Sequence, residues 1–168
     1  MAQKISSTVV LLDIEAAFAS SGAKTNRIDM VLYNTIEKRL IFVEVKRLSD
    51  SRLYPGKNNN PAEIITQLQE YQKLLEDNKQ TIIAQYNNVI TYYNQLTGKQ
   101  IPLMDTDNAA DPLLGLFVVE CSQDTKSTTE YQVLRDRITA ANFKMHTYGD
   151  AKHVSPGTLL DLYNRFKK

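Results

Sequence analysis

Cysteine and histidine, from which many metal and redox sites are built, are scarce in this sequence. Its 168 residues contain one cysteine, Cys121, and two histidines, His146 and His153. A single cysteine excludes an internal disulfide, and these three residues do not have the spacing of any familiar zinc site. Because Cys121 ends an apolar run, we expect it to be a buried structural thiol.

Long apolar segments are also missing. The longest apolar run, residues 113–119, is much shorter than the roughly 18 residues that a membrane-spanning helix needs. The first residues, MAQKISST, lack the apolar core and the small-residue cleavage site of a secretory signal. We therefore expect a cytoplasmic protein with no membrane partner.

An excess of charge of either sign is absent, since 20 Lys and Arg residues face 19 Asp and Glu residues and leave a net charge of +1. Global attraction to nucleic acid is therefore excluded, and any basic surface must be local. No glycine-rich phosphate loop is present, which argues against a nucleotide-binding enzyme built on such a loop.

What the sequence does contain is the composition of an ordinary globular domain, with 42% hydrophobic and 23% charged residues. Its length suits one domain with a core of its own. We expect a single domain over residues 1–168, which is either a whole protein or a piece of a longer chain.

The periodicity of the apolar residues predicts an α/β fold. Apolar residues at alternate positions indicate strands, and apolar residues three and four apart indicate helices. The expected order is strand (residues 7–19), strand (27–33), strand (40–46), one long helix or two (61–96), strand (113–121), helix (from Thr128 or Thr129), strand (143–148) and helix (155–168). This order implies a mixed central sheet flanked by helices.

Helix signals flank the long helical segment. Asn60 is the expected cap, with Pro61 in the first turn and Glu63 near the positive end of the helix dipole. Gly98 is the expected stop signal, and the polar residues 76–80 allow a break between two helices.

The first segment has a strand pattern, for which a helix is the alternative because the run EAAFAS contains good helix formers. In the strand interpretation one face is apolar and the other becomes acidic. The residues expected to share the apolar face are Val10, Leu12, Ile14, Ala16 and Phe18.

The most informative stretch is RIDMVLYNTIEKRLIFVEVK, residues 27–46, which has the pattern of two strands joined by a polar turn. In its first strand Ile28, Met30 and Leu32 are expected to share one face. Asp29 is therefore expected on the opposite face.

The second strand of this hairpin carries Glu44 and Lys46 on one face, together with Leu40 and Phe42. The opposite face is formed by Ile41, Val43 and Val45. Paired strands lie about 5 Å apart. Asp29, Glu44 and Lys46 are therefore expected to converge at one end of the hairpin.

Two carboxylates and a lysine in this arrangement suit the hydrolysis of a phosphodiester bond. That reaction needs an activated water and neutralisation of charge on the phosphate, and a divalent metal supplies both. Mg²⁺ prefers oxygen ligands, which Asp29, Glu44 and the backbone carbonyl of Val45 can provide. Lys46 can orient or deprotonate the attacking water.

These residues resemble the motif of the PD-(D/E)XK nuclease superfamily. Asp29 is followed, after fourteen intervening residues, by the tripeptide Glu44-Val45-Lys46 as the E-x-K element. The next helix carries Gln67 and Tyr71, which match the Q-x-x-x-Y element of the RecB-like branch. Gln67 and Tyr71 lie one helical turn apart and share a face.

The resemblance implies a restriction-endonuclease-like fold and hydrolysis of nucleic acid, DNA in preference to RNA, with Mg²⁺ or Mn²⁺ as cofactor. The metal ligands that it implies are Asp29, Glu44 and the carbonyl of Val45. Lys46 becomes the catalytic lysine, and Gln67 and Tyr71 either touch the substrate phosphate or hold Lys46.

The sequence departs from the family pattern in two places. Ile28 precedes Asp29 where the motif has proline, and MAQKISST is too short for the helix that such nucleases place before the first strand. The chain is then a piece of a longer protein, an atypical member, or a protomer completed in a homodimer or larger assembly. Glu15 is a candidate for a further metal ligand, and the alternative is a solvated acid at a strand end.

Two alternatives stay open. Arg47, Arg52 and Lys57, in the loop that follows Lys46, either contact nucleic-acid phosphates or are ordinary solvated residues. Glu44 and Lys46 could also form an exposed pair on an edge strand. The alternative function, suggested by the missing first helix and the neutral net charge, is a non-catalytic nucleic-acid-binding or assembly module that has a nuclease-like fold.

Overall fold

The computed structural model of the protein describes residues 8–19, 25–55 and 62–167. Its strands are β1 (Val9–Ala19), β2 (Thr25–Asn34), β3 (Arg39–Arg47), β4 (Leu113–Val119) and β5 (Lys144–Thr147). Its helices are α1 (Glu63–Asp77), α2 (Lys79–Thr97), α3 (Gln123–Lys126), α4 (Thr129–Ala140) and α5 (Pro156–Lys167). The predicted order is confirmed, and the short helix α3 is an addition to it.

The five strands form one mixed sheet in the order β1-β2-β3-β4-β5. β1, β2 and β3 are antiparallel neighbours, whereas β4 runs parallel to β3 and β5 runs parallel to β4. Parallel neighbours need long crossovers, which the helices provide. β3 is therefore an inner strand, and the alternative of an exposed Glu44–Lys46 pair on an edge strand is excluded.

Helices cover both faces of the sheet, which confirms an α/β fold with a mixed sheet between helices. On one face α1, α2 and α4 pack against side chains such as Phe42 and Leu116. On the other face α5 packs against side chains such as Val43. There the ring of Phe166 lies so close to β4 that a Cβ at Gly115 would overlap it, so this position requires glycine.

The first segment is a strand and not a helix, but its faces are less regular than expected. Its pairing with β2 is interrupted by a bulge between Leu11 and Asp13, and Glu15 has a positive φ of 55°. A bulge twists a strand and redirects the side chains beside it, so Ile14 is 65% exposed instead of buried. The other expected residues of the apolar face pack into or against the core, namely Val10, Leu12, Ala16 and Phe18.

The strand β2 also departs from its expected pattern at one residue. Met30 and Leu32 pack on the α5 side of the sheet, but Ile28 packs on the opposite side with Tyr33. Backbone pairing of β2 with β3 stops at Met30, opposite Val43. Ile28 is still paired with Ala16 of β1, and the irregularity lies between this pair and the pair of Ile14 with Met30, where Glu15 has a positive φ of 55°.

The long helical segment is two helices, separated by the single residue Asn78. Gly98 ends α2 in the left-handed conformation, with a φ of 66°, as predicted. α1 begins at Glu63 with Ala62 as its N-cap, which makes no side-chain cap bond. The helix thus starts later than predicted, and the expected cap Asn60 lies outside the described residues, as does residue 61.

The expected cap of α4 is present. The hydroxyl of Thr128 accepts the N–H of Tyr131 at 3.3 Å, which satisfies one of the free donors of the first turn. Among the residues that the structure describes, no helix is both long enough and apolar enough to cross a membrane.

Candidate active site

The hairpin of β2 and β3 opens at Asp29. Backbone pairing of the two strands reaches Met30 and Val43. One position further along, a side chain links the strands, because Asp29 Oδ2 accepts the N–H of Val45 at 2.7 Å. The carboxylate of Asp29 is thereby fixed against β3 beside Glu44.

Glu44 and Lys46 form a buried ion pair. Both side chains lie on the same side of β3, as the period of two predicts, and they are only 2% and 5% exposed. Lys46 Nζ donates a hydrogen bond to Glu44 Oε1 and a second one, of 3.3 Å, to the carbonyl of Val45. Charges are tolerated inside a protein when they are paired in this way.

Helix α1 covers the pair with Gln67 and Tyr71. Gln67 Nε2 donates to Glu44 Oε1 at 2.9 Å and to the hydroxyl oxygen of Tyr71 at 2.7 Å. The Tyr71 hydroxyl donates in turn to the carbonyl of Arg27 on β2. The two side chains therefore tie α1 to both strands of the hairpin at the end where Asp29 lies.

The second oxygen of Glu44 is the unusual atom of this site. Oε2 is buried, and no atom of the described residues forms a hydrogen bond with it. Oε1, by contrast, accepts from both Lys46 and Gln67. A buried carboxylate oxygen with no donor is costly, so the site has an unmet requirement for a cation or a donor.

Burial raises the pKa of Glu44 above its ordinary value, because loss of water disfavours the charged carboxylate. The hydrogen bond from Lys46 and its positive charge act in the opposite direction, and the negative charge of Asp29 raises the pKa further. Burial also raises the pKa of Tyr71. A cation near Glu44 would favour its ionised form.

The oxygen atoms gathered here fit a hard divalent cation. Asp29 and Glu44 offer carboxylates and Val45 offers a carbonyl, which are the ligand types that Mg²⁺ and Mn²⁺ prefer. The described residues contain no group of three or more His, Cys, Asp or Glu side chains arranged to hold a metal, and the role of Glu15 stays a prediction. The chain thus brings two carboxylates, and water and phosphate oxygens would complete the shell.

The three basic residues predicted to contact nucleic acid differ in their surroundings. Arg47 is exposed and pairs with Glu120, with 2.6 Å between Nη2 and Oε1. Lys57 lies outside the described residues. Arg52 lies in the 3-10 turn Ser51–Leu53 that follows β3. Of the two described residues, Arg52 is the one whose charge interacts with the acids of the site.

Asp50, which was not predicted from the sequence, holds Arg52, and besides the bond to Arg52 the positive charge of Lys46 contributes to lowering the pKa of the Asp50 carboxyl. Its carboxylate accepts the backbone N–H of Arg52 at 3.0 Å, Nε at 2.9 Å and Nη2 at 2.6 Å, which lowers the pKa of Asp50 to about 2. The bond to Asp50 raises the pKa of Arg52, and the negative charges of Glu44 and Asp29 raise it further. The sequence signal was an aspartate two residues before an arginine in a turn-rich loop.

Cys121 and the two histidines take no part in the site. Cys121 is buried, as expected, and burial raises the pKa of its thiol. His146 stacks on Phe117 with 5.9 Å between the ring centroids, and His153 lies in the 3-10 turn Ala151–His153.

A comparison of the sequence with models of protein families finds no match, and a comparison with curated proteins finds none either.

Proposed function

We propose that this protein is a metal-dependent nuclease that hydrolyses phosphodiester bonds in DNA. The observation that carries the proposal is the buried pair of Glu44 and Lys46, with Asp29 beside it and with one oxygen of Glu44 that no described residue hydrogen-bonds. Such an arrangement costs stability in the isolated protein. Perturbed buried acids of this kind are typical of functional sites.

The fold that we propose is restriction-endonuclease-like. It is supported by the mixed sheet between helices and by the position of the E-x-K element on an inner strand. The next helix directs Gln67 and Tyr71 to that element. The resemblance to the PD-(D/E)XK superfamily accounts for both the sequence pattern and this convergence.

Asp29, Glu44 and the carbonyl of Val45 are the groups that would hold Mg²⁺ or Mn²⁺. When bound, the ion supplies an activated water and neutralises charge on the phosphate. The hydrogen bond from the Val45 N–H to Asp29 keeps one carboxylate in place, and the bond from Gln67 orients the other.

Lys46 carries the positive charge of the site. An ammonium has three donors, of which Glu44 Oε1 and the Val45 carbonyl accept two. The third can hold the attacking water or a phosphate oxygen. Its charge would then stabilise the negative charge that develops on the phosphate during displacement.

Gln67 and Tyr71 are positioning residues in this proposal, because they touch Glu44 and the backbone of Arg27 and so fix the acid. Arg52 is the residue that we assign to a neighbouring phosphate of the substrate. Asp50 takes one edge of its guanidinium, through Nε and Nη2, and a planar guanidinium suits phosphate recognition with its remaining donors.

A cleavage screen tests the proposal directly. Closed circular, linear duplex and single-stranded DNA, and RNA, are incubated with Mg²⁺, Mn²⁺ or EDTA. We expect metal-dependent cleavage of DNA, lowered at least about 100-fold by Asp29→Ala, Glu44→Gln or Lys46→Ala. Cutting of the closed circle would identify an endonuclease.

The matched control is Lys73→Ala, which removes an exposed ion pair with Asp77 on α1 and should leave cleavage unchanged. Circular dichroism shows whether each variant is folded. The nuclease assignment fails if the folded site variants cut as fast as the wild-type protein.

A non-catalytic nucleic-acid-binding or assembly module is the second candidate. It is favoured by the direct bond between Lys46 and Glu44, through which the two charges neutralise each other within the protein. This candidate predicts no cleavage with either metal, together with DNA binding that weakens as the salt concentration rises.

A further inference from the structure

The ammonium of Lys46 lies on the same oxygen atoms to which we assign a metal ion. Nζ donates to Glu44 Oε1 and, at 3.3 Å, to the carbonyl oxygen of Val45. Glu44 and the Val45 carbonyl are two of the three groups, completed by Asp29, whose oxygens suit Mg²⁺ or Mn²⁺. Lys46 therefore occupies most of the ligand set that this chain would offer to a divalent ion.

An ammonium and a metal ion compete for these two oxygens. A magnesium ion lies about 2.1 Å from its oxygen ligands, and an ammonium nitrogen lies about 2.8 Å from a charged acceptor. A divalent ion that binds Glu44 Oε1 and the Val45 carbonyl from the side on which Nζ lies would therefore overlap it. The two cations would also repel each other, and the repulsion is strong where water is excluded.

The balance of charge favours exchange of one cation for the other. When both carboxyls are ionised, Asp29 and Glu44 carry two negative charges and Lys46 carries one positive charge. A divalent ion in place of the ammonium would balance the two carboxylates. A divalent ion added to the ammonium would leave an excess positive charge inside the protein, which is costly.

The second carboxylate oxygen shows that Lys46 satisfies Glu44 only in part. Glu44 is 2% exposed, and no described residue hydrogen-bonds its Oε2. An ammonium bonded to Oε1 leaves Oε2 away from water and without a donor, at a cost in free energy. Lys46 is therefore an incomplete partner of this acid, which another cation can replace.

Asp50 offers the released ammonium a new partner. The positive charge of Lys46 adds to the effect of Arg52 in lowering the pKa of Asp50, so the two side chains lie within electrostatic reach. Arg52 takes three of the roughly four acceptor positions of that carboxylate. Because a lysine has a flexible four-carbon stem, its ammonium can turn from Glu44 towards Asp50 without losing all contact with negative charge.

We propose that the Lys46 ammonium occupies the cation position of this site, and that its contact with Glu44 and the binding of Mg²⁺ or Mn²⁺ exclude each other. The inference rests on the metal site of the proposed function and adds regulation to it. Without a divalent ion, Lys46 stays bonded to Glu44 and is withdrawn from substrate. With one, Lys46 is free to hold a water or a phosphate oxygen.

Chemical labelling of lysine in the wild-type protein tests the proposal. The protein is treated with an amine-acetylating reagent in saturating Mg²⁺ or in EDTA at matched ionic strength, and mass spectrometry follows the acetylation of each lysine. Lys46, 5% exposed, should react slowly in EDTA and at least about 10-fold faster in Mg²⁺. Lys73, 76% exposed, is the internal control and should react at the same rate in both.

Titration calorimetry gives a second measurement. Lys46→Met keeps most of the apolar stem and removes the competing charge, so Mg²⁺ should bind this variant at least about 10-fold more tightly than it binds the wild-type protein. Lys73→Met, at an exposed pair, should bind Mg²⁺ as the wild-type protein does. Circular dichroism shows whether Lys46→Met is folded, and the labelling of the wild-type protein decides the question if it is not.

The outcomes separate this proposal from the nuclease assignment. Mg²⁺ binding that leaves the labelling rate of Lys46 unchanged, or that does not tighten in folded Lys46→Met, would overturn the exchange and leave the nuclease assignment standing. Failure of both proteins to bind Mg²⁺ would overturn both proposals. Release of Lys46 by Mg²⁺ without cleavage of any nucleic acid would support the exchange and overturn the nuclease assignment.

Discussion

Glu44 and Lys46 stand two positions apart on one strand and form an ion pair that is almost completely withdrawn from water. The pair is held from two directions, by Gln67 on the covering helix and by the carbonyl of Val45 on its own strand. Because Oε2 of Glu44 has no partner among the described residues, the pair is incomplete as a structural element. The Glu44–Lys46 pair therefore affects both the stability of the sheet and the proposed chemistry.

Removal of Lys46 should destabilise the protein strongly at neutral pH. Lys46→Met leaves Glu44 buried without its cation, and loss of one partner of a buried pair costs about 3 kcal/mol of the free energy of unfolding. The pKa of Glu44 in the folded protein, already raised by burial, should rise further because Lys46 lowers it. Urea unfolding at several pH values measures both effects.

The pH dependence of this variant has a defined sign. Between the pKa of Glu44 in the unfolded chain, about 4.5, and its raised value in the folded chain, the folded state binds more protons. Stability therefore falls as the pH rises through this window, and the deficit of Lys46→Met shrinks towards about pH 4.5. Lys73→Met, at an exposed pair, should leave stability close to that of the wild-type protein at every pH.

Two substitutions of Asp29 should distinguish its role as a hydrogen-bond acceptor from the role of its negative charge. Asp29→Asn can still accept the N–H of Val45 through its amide oxygen, so stability should change by less than about 1 kcal/mol. Asp29→Ala removes the acceptor and should cost about 1 to 3 kcal/mol. Both should abolish Mg²⁺ binding in titration calorimetry, and undiminished binding by Asp29→Asn would exclude Asp29 as a ligand.

Tyr71→Phe should loosen the link between α1 and the hairpin. The change leaves the carbonyl of Arg27 and the amide of Gln67 without the hydroxyl that joins them, and we expect a loss of about 1 to 2 kcal/mol. Cleavage should fall mainly through kcat, because the orientation of Glu44 is affected and not the substrate-binding surface. Tyr92→Phe, at an exposed tyrosine, serves as the control and should change neither quantity.

Arg52 should affect binding of DNA more than the chemical step. Arg52→Ala should weaken binding in the presence of EDTA and reduce the slope of log Kd against log salt by about 1. Asp50→Asn should not reduce the salt slope, because it frees the guanidinium without removing its charge. Arg135→Ala, at a similar exposed pair with Asp136, should leave both affinity and slope unchanged.

The order of strands and helices was predictable because each segment has a clear period of apolar residues. The break between α1 and α2 at Asn78 and the stop at Gly98 were also encoded locally. The exposure of Ile14 was not encoded locally, since it depends on a bulge in the pairing of β1 with β2. The packing of Ile28 likewise depends on the irregular pairing of β1 with β2 beside Glu15.

In the candidate site, too, some features follow from local sequence patterns and others only from the fold. Alternation along β3 placed Glu44 and Lys46 on one face, and helical spacing placed Gln67 and Tyr71 one turn apart. Asp50 was missed because its role depends on the turn that brings Arg52 back to it.

The sequence by itself determined which side chains share a face, because that follows from the repeat of a strand or a helix. Only the tertiary structure decided that β3 is an inner strand and that α1 closes over it, which buries Glu44 and Lys46. Burial removes water from the pair, and the loss of water raises the pKa of Glu44 and makes an unpartnered oxygen costly. The physical difference between a solvated pair and a candidate active site therefore lies in contacts between segments distant in the chain.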